Sequence, residues 1–161
     1  MDSNGNSKIS NYKWSINYKE ETVFGLNLDK DGLVTDSSNK VLEYRSPEEV
    51  TISKRIEYST DYWALGISMY KMFTGRFPFF NKKSIINDSI PNLKELETSQ
   101  EAKEVLTNLL NKNHFERLGS RKNKKNVKLD PFFTEINWNR LEKGEIEPAI
   151  KPIVVIFFLI N

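Results

Sequence analysis

Apolar positions along the 161-residue chain concentrate in two stretches with different periods. From Tyr62 to Phe73 the residues Tyr-Trp-Ala-Leu-Gly-Ile-Ser-Met-Tyr-Lys-Met-Phe are apolar nearly all round. That pattern predicts a helix covered on most sides and therefore a central element, with Gly75 and Pro78 ending it. In the second stretch Ala102, Val105, Leu106, Leu109 and Leu110 recur at the spacing of one helix face. Thr98 and Glu101 read as the capping box that opens this amphipathic helix. A shorter helix is predicted at Ser46-Pro47-Glu48-Glu49, which has a Ser cap, Pro at the first helical position and Glu three residues after the cap.

Between and around these helices the pattern is weak. Residues 2–10 read as a turn and a strand, with Asn4-Gly5 as a hairpin dipeptide, and residues 11–42 as a long loop. Residues 111–130 are loop-like and basic. Phe132-Phe133 and Trp138 offer aromatic anchors before Pro148 and Pro152 signal an extended tail. The apolar run 153–160 is too short for a membrane span, which takes roughly 20 residues in a helix; it reads as a strand-like or sticky tail. The expectation is one mainly helical domain without internal repeats.

Composition narrows function mostly by exclusion. Hydrophobic residues make up 38% and charged residues 29%, an ordinary soluble balance, and the net charge of +2 names no anionic partner by itself. With no cysteine, a disulfide scaffold and a Cys-based zinc site are excluded. One histidine, His114, makes a His-rich metal site improbable and reads as structural. The polar N-terminus lacks the apolar region of a signal peptide. Asn27, Asp29, Asp31 and Gly32 imitate the start of an EF-hand loop, but Ser38 stands where the closing Glu belongs, so the segment reads as a polar turn. Lys112, Arg117, Arg121, Lys122, Lys124, Lys125 and Lys128 form a basic stretch. A solvated loop is preferred to a nucleic-acid or lipid surface, because no aromatic residues are interleaved at 118–131.

Three ordered blocks carry a family resemblance. Glu43-Tyr44-Arg45-Ser46-Pro47-Glu48 resembles the A-P-E element that ends a kinase activation segment. Asp61-Tyr62-Trp63-Ala64-Leu65-Gly66 resembles the D-x-W-x-x-G start of the buried kinase F helix, and Gly75-Arg76-Phe77-Pro78-Phe79 the turn after it. Arg117-Leu118-Gly119, Asp130-Pro131-Phe132-Phe133 and Ile136-Asn137-Trp138 are similar to the end of the catalytic domain and the C-terminal extension of the AGC group of Ser/Thr kinases. Pro148-Ala149-Ile150-Lys151-Pro152 resembles that group's P-x-x-P tail. The resemblance implies a mainly α fold, a partial kinase C-lobe without the N-lobe. Its segments are a remnant of the metal-binding hairpin and activation segment (1–42), C-lobe helices (43–133), the AGC-type extension (134–152) and the apolar tail (153–161).

The resemblance also implies failed chemistry. Kinases bind ATP and use a D-F-G carboxylate to hold Mg²⁺. That place is taken either by Asn11-Tyr12-Lys13 or, in a second register, by Val23-Phe24-Gly25, and in both the acid is gone. The catalytic-loop Asp and Asn, the strand lysine and the glycine-rich loop would belong upstream of Met1. Val41 and Lys40 replace the Thr and Gly of the Gly-Thr-Pro-Glu-Tyr run. Lys71 replaces the F-helix acid that pairs with substrate arginine. The skeleton is better kept: Ser46, Pro47, Glu48, Asp61, Trp63, Gly66 and Arg117 match, with Glu48 and Arg117 as a buried ion pair and Asp61 as the acid that accepts catalytic-loop N–H groups. Ser37 lies near the family's activation-loop phosphosite and reads as a plain serine.

The expectation is therefore a cytoplasmic pseudokinase fragment with no cofactor of its own. It would act through a protein partner on the kinase substrate or regulatory face, with no nucleic acid and no membrane span. The alternatives are a piece of a longer active Ser/Thr kinase, or a basic-loop nucleic-acid or lipid binder. Exposure of Leu65, Ile67, Met69 and the tail, and hence marginal stability, is also expected.

Overall fold

The computed structural model describes residues 16–17, 22–23, 39–51, 58–121, 123 and 126–148. They fall into two compact units, one drawn from residues 1–26 and 136–161 and the other from residues 27–135. The predicted hairpin at 2–10, Asn11, the EF-hand-like turn, Ser37 and the tail 153–160 lie outside the described residues.

In the first unit, β1 (Ile16–Asn17) pairs antiparallel with β2 (Thr22–Val23), Ile16 opposite Val23. The expected uninterrupted loop over 11–42 is corrected here. Four polar residues, Tyr18 to Glu21, connect the strands with no Gly, Pro or Asn to announce a turn. A short helix, Trp138–Glu142, is capped by the Asn137 side chain, which accepts from the Arg140 N–H at 3.1 Å.

The second unit is helical and holds the core. After a 3-10 turn at Asn39–Tyr44 comes α1 (Pro47–Val50), started by Ser46 and Pro47 as the sequence predicts. The long helix α2 (Ser59–Thr74) ends at Gly75 with φ 72°. It is followed by α3 (Lys82–Asn87) and α4 (Gln100–Leu109); the helix Trp138–Glu142 is α5. The cap of α4 differs from expectation. Ser99, one residue later than Thr98, has the extended backbone of a cap, and its Oγ accepts from the Ala102 N–H at 3.2 Å.

Trp63, Ile67, Met69 and Tyr70 of α2 bury against Val105, Leu106, Leu109 and Leu110, with Phe79, Ile85 and Leu118 completing the cluster. The expectation that Ile67 and Met69 are exposed is thus overturned. The apolar face of α4 packs on α2 and removes them from water, leaving Leu65 alone of the three exposed. At about 1.5–3 kcal/mol for each large side chain buried, this face-to-face contact dominates the unit's stability. No helix among the described residues is long and apolar enough to cross a membrane.

Candidate functional site

The sequence-predicted skeleton residues converge on one buried cation. Arg117 is 0% exposed and Glu48 2%. A charge cannot be desolvated to that degree unless its hydrogen-bonding atoms are answered. The Arg117 guanidinium donates through Nη1 to Glu48 Oε1 at 2.6 Å and through Nη2 to Oε2 at 2.8 Å, the parallel fork that suits a carboxylate. Nη1 also donates to the Ser59 carbonyl at 2.9 Å, and Nε to the Asn111 carbonyl at 3.0 Å. Thr60 Oγ1 donates to Glu48 Oε1 at 3.2 Å. The guanidinium carbon sits 5.0 Å from the centre of the Trp63 ring. One side chain therefore staples α1, the start of α2 and the loop after α4.

Each arm has a local cause. Glu48 is held inward because α1 begins at a rigid Pro47, and because Glu49 folds back to accept the Ser46 backbone N–H at 2.7 Å and the Ser46 hydroxyl at 2.9 Å. Burial alone would raise the Glu48 carboxyl, but the hydrogen bonds and charge of Arg117 outweigh it and hold Glu48 below the ordinary carboxylate range. Burial raises Glu49, outweighing the hydrogen bonds from Ser46 and the charge of Arg45, which act the other way. Arg117 is aimed by the Leu118 N–H, which donates to the Asn108 carbonyl at 3.0 Å, and by Gly119 at φ 87°. A Cβ on Gly119 would stand 2.2 Å from the Tyr62 ring, so only glycine fits there. Gly66 serves the α2–α4 packing in the same way: its Cβ would meet Leu109 and Leu110 at 2.9 Å.

Trp63 stacks on Phe79 with centroids 5.7 Å apart and is fully buried, but its Nε1 and the Ser59 hydroxyl have no hydrogen-bond partner among the described residues. Asp61 stays apart from the staple. It is exposed, though partial desolvation pushes its carboxyl up, and among the described residues no donor reaches it. Val23 lies in the strand pair, opposite Ile16. No three His, Cys, Asp or Glu side chains gather as metal ligands among the described residues.

Lys112 is the residue that sequence reasoning misplaced. Counted with the solvated basic stretch, it instead turns inward and donates to the carbonyls of Ile85 at 2.5 Å and Ser84 at 3.3 Å, at the C-terminal end of α3. Its ammonium lies 3.6 Å from the centre of the Phe79 ring and 5.0 Å from that of Trp63. Desolvation pushes it down to about 8, Arg117 acting in the same sense and Asp88 against it. A signal existed: Lys112 lies three residues after Leu109, on the continuation of the buried face of α4. With Arg117 also buried, the basic stretch is not a continuous exposed surface. His114 packs on its neighbour Phe115, with ring centroids 3.9 Å apart.

Lys71, in contrast, is exposed and rests 4.0 Å from the centre of the Phe77 ring, which Tyr44 meets edge-on at 5.2 Å.

Comparison with known proteins agrees with this geometry. The protein kinase domain family matches residues 1–133. The chain is 35% identical to protein kinase C of Drosophila melanogaster over 130 residues, covering 76% of this chain and 17% of the relative. It is 35% identical to serine/threonine-protein kinase AtPK2/AtPK19 of Arabidopsis thaliana over 140 residues, 83% of this chain and 29% of the relative. Protein kinase C delta type of Rattus norvegicus is 31% identical over 160 residues, 96% of this chain and 21% of the relative. The chain thus spans less than a third of the length of these relatives. The helical C-lobe architecture, the Glu48–Arg117 staple and these matches together show that the chain belongs to the protein kinase domain family, beside Ser/Thr kinases of the AGC group.

Proposed function

We propose that this chain is a non-catalytic member of the family, a kinase lower lobe that works by binding protein. The observation that carries the reading is a contrast. The Glu48–Arg117 staple is retained with its hydrogen-bonding atoms answered, whereas neither candidate for the metal-binding position is an acid. Mg²⁺ is a hard cation that takes anionic oxygen. Asn11 offers a neutral amide and Val23 no ligand at all, so these residues do not fit the ion, and no phosphoryl-transfer step is derived through it. Loss of the F-helix acid to Lys71 supports the same reading, since a basic substrate would be repelled. The segment boundaries at residues 42, 133 and 152 and a cytoplasmic location belong to this proposal, by analogy with the relatives. Binding of MgATP by the full chain, followed by titration calorimetry, tests it: no heat of binding at millimolar nucleotide is expected, and Mg²⁺-dependent binding would overturn it.

A second reading, a piece of a longer ATP-dependent Ser/Thr kinase, is favoured by Asp61. The family resemblance assigns this acid to the backbone of a catalytic loop; here its side chain is exposed and meets no donor among the described residues. The mass of the endogenous protein, detected with an antibody to residues 98–112, separates the two. A species near 18.8 kDa supports the first reading and a much larger one the second. The basic-loop reading has less to stand on, because Lys112 and Arg117 are spent inside the fold. A steep fall of oligonucleotide binding with salt would be needed to restore it.

A further inference from the structure

We propose that the stretch from Lys71 to Ile86 docks an acidic peptide segment carrying bulky apolar side chains. The inference deepens the protein-binding reading and rests on it. From Tyr62 to Asn87 the sequence contains no Asp or Glu, while Lys71, Arg76, Lys82 and Lys83 all fall within it. All four are exposed, and among the described residues none forms an ion pair.

These cations are presented by ordered elements. Lys71 lies over the Phe77 ring at 4.0 Å. The Arg76 backbone is held at the end of α2 by its N–H donating to Thr74 Oγ1 at 3.2 Å, while that hydroxyl donates to the Tyr70 carbonyl at 2.8 Å. Lys82 and Lys83 open α3, whose cap Asn81 accepts from the Ser84 N–H at 2.9 Å, and that first turn contains no acid. Backbone order of this kind lowers the entropy lost on binding.

Along the sequence, exposed apolar residues alternate with these charges. Met72 is 76% exposed and Phe80 70%, unusual for residues of this size. A bare polyanion would neutralise the cations and leave Met72 and Phe80 in water. A peptide with alternating carboxylates and large apolar side chains answers both. The unbranched Met72 thioether adapts to side chains of varied shape, as in peptide-binding surfaces generally.

Fluorescence anisotropy on the full chain tests this with a labelled peptide of Asp-Leu-Glu-Phe repeats. The comparison probes are the same peptide with Lys for each acid, a single-stranded oligonucleotide and phosphatidylserine vesicles. The acidic apolar peptide is expected to bind most tightly, and reversal of all four cations (K71E, R76E, K82E, K83E) to weaken it by about tenfold or more. K94E, a reversal elsewhere on the surface, is expected to leave binding unchanged, with thermal melts of both variants confirming that the fold is kept. Equal binding of the Lys peptide, tighter binding of the oligonucleotide or vesicles, no binding of any probe, or an equal loss with K94E would each overturn the proposal. None of these outcomes bears on MgATP binding, so failure of the docking surface and failure of the non-catalytic reading are told apart.

Discussion

The cluster around Arg117 and the stretch from Lys71 to Ile86 treat positive charge in opposite ways. Arg117 is fully buried, forked onto Glu48 and bonded to two backbone carbonyls. Lys71, Arg76, Lys82 and Lys83 are exposed and have no carboxylate partner among the described residues. The difference is one of environment. A buried cation must be answered within the fold or the fold fails, whereas an exposed cation is stable in water and stays available to a partner. Substitutions in the two regions are accordingly expected to move different observables, stability in the first and binding in the second.

The largest effect is expected from R117M. It leaves the Glu48 carboxylate buried without its counter-charge, at a cost of about 3–5 kcal/mol in urea unfolding. The double variant E48L/R117M is expected to recover part of that loss, since no charge is then stranded. A double variant as unstable as the sum of its singles would break the account of the staple. Acid sharpens the point. Glu48 has a folded pKa below its unfolded value, so its contribution is full above the ordinary value of 4.5 and is lost as pH falls through the lowered folded one. R117M is expected to remove that share of the acid sensitivity, which unfolding curves between pH 6 and pH 3 would reveal.

Next in size is G119A, where a left-handed backbone and the Tyr62 ring both oppose a Cβ; about 1–3 kcal/mol is expected. G66A acts on the α2–α4 contact by crowding alone and is expected near the lower end of that range. Thermal or urea unfolding of both would rank the two.

Lys112 gives a smaller effect with a distinctive pH signature. Replacement by Met removes hydrogen bonds to the last turn of α3 but leaves an apolar stem against Phe79, so about 1 kcal/mol is expected at pH 7. Its folded pKa of about 8 is below the unfolded value of 10.5, so the folded state binds fewer protons between these limits. The stability contributed by Lys112 therefore grows as pH rises from about 8 towards 10.5. Wild type is expected to gain on K112M over that window, and parallel pH curves would contradict the assignment. The smallest effect is expected from K71E, within about 0.5 kcal/mol, because the side chain leans on one ring at the surface.

What the sequence disclosed follows from which forces are local. The helices α2 and α4 were legible because burial repeats with the helical period, and α1 because Ser46, Pro47 and Glu49 carry their own start signal. The Glu48–Arg117 pair could be assigned only through resemblance, since its partners lie 69 positions apart. The all-round apolar pattern of α2 pointed to burial of Ile67 and Met69; the contrary expectation rested on supposing its cover lost, and α4 supplies that cover. Thr98 and Ser99 are adjacent and chemically alike, so the cap could not be assigned between them without backbone angles. Lys112 was misread because a charged residue was assumed to face water, against the period of its own helix. The strand pair at Ile16–Asn17 and Thr22–Val23 went unseen because its connection lacks turn residues.

The central claim is that the framework of a kinase lower lobe persists here without its chemistry. Its most direct test is phosphoryl transfer from labelled MgATP to a basic peptide by the endogenous protein, captured with an antibody to residues 98–112. The account predicts transfer no greater than a blank, with Mg²⁺ and with Mn²⁺ alike. Incorporation that depends on the metal and disappears with D61N would contradict it.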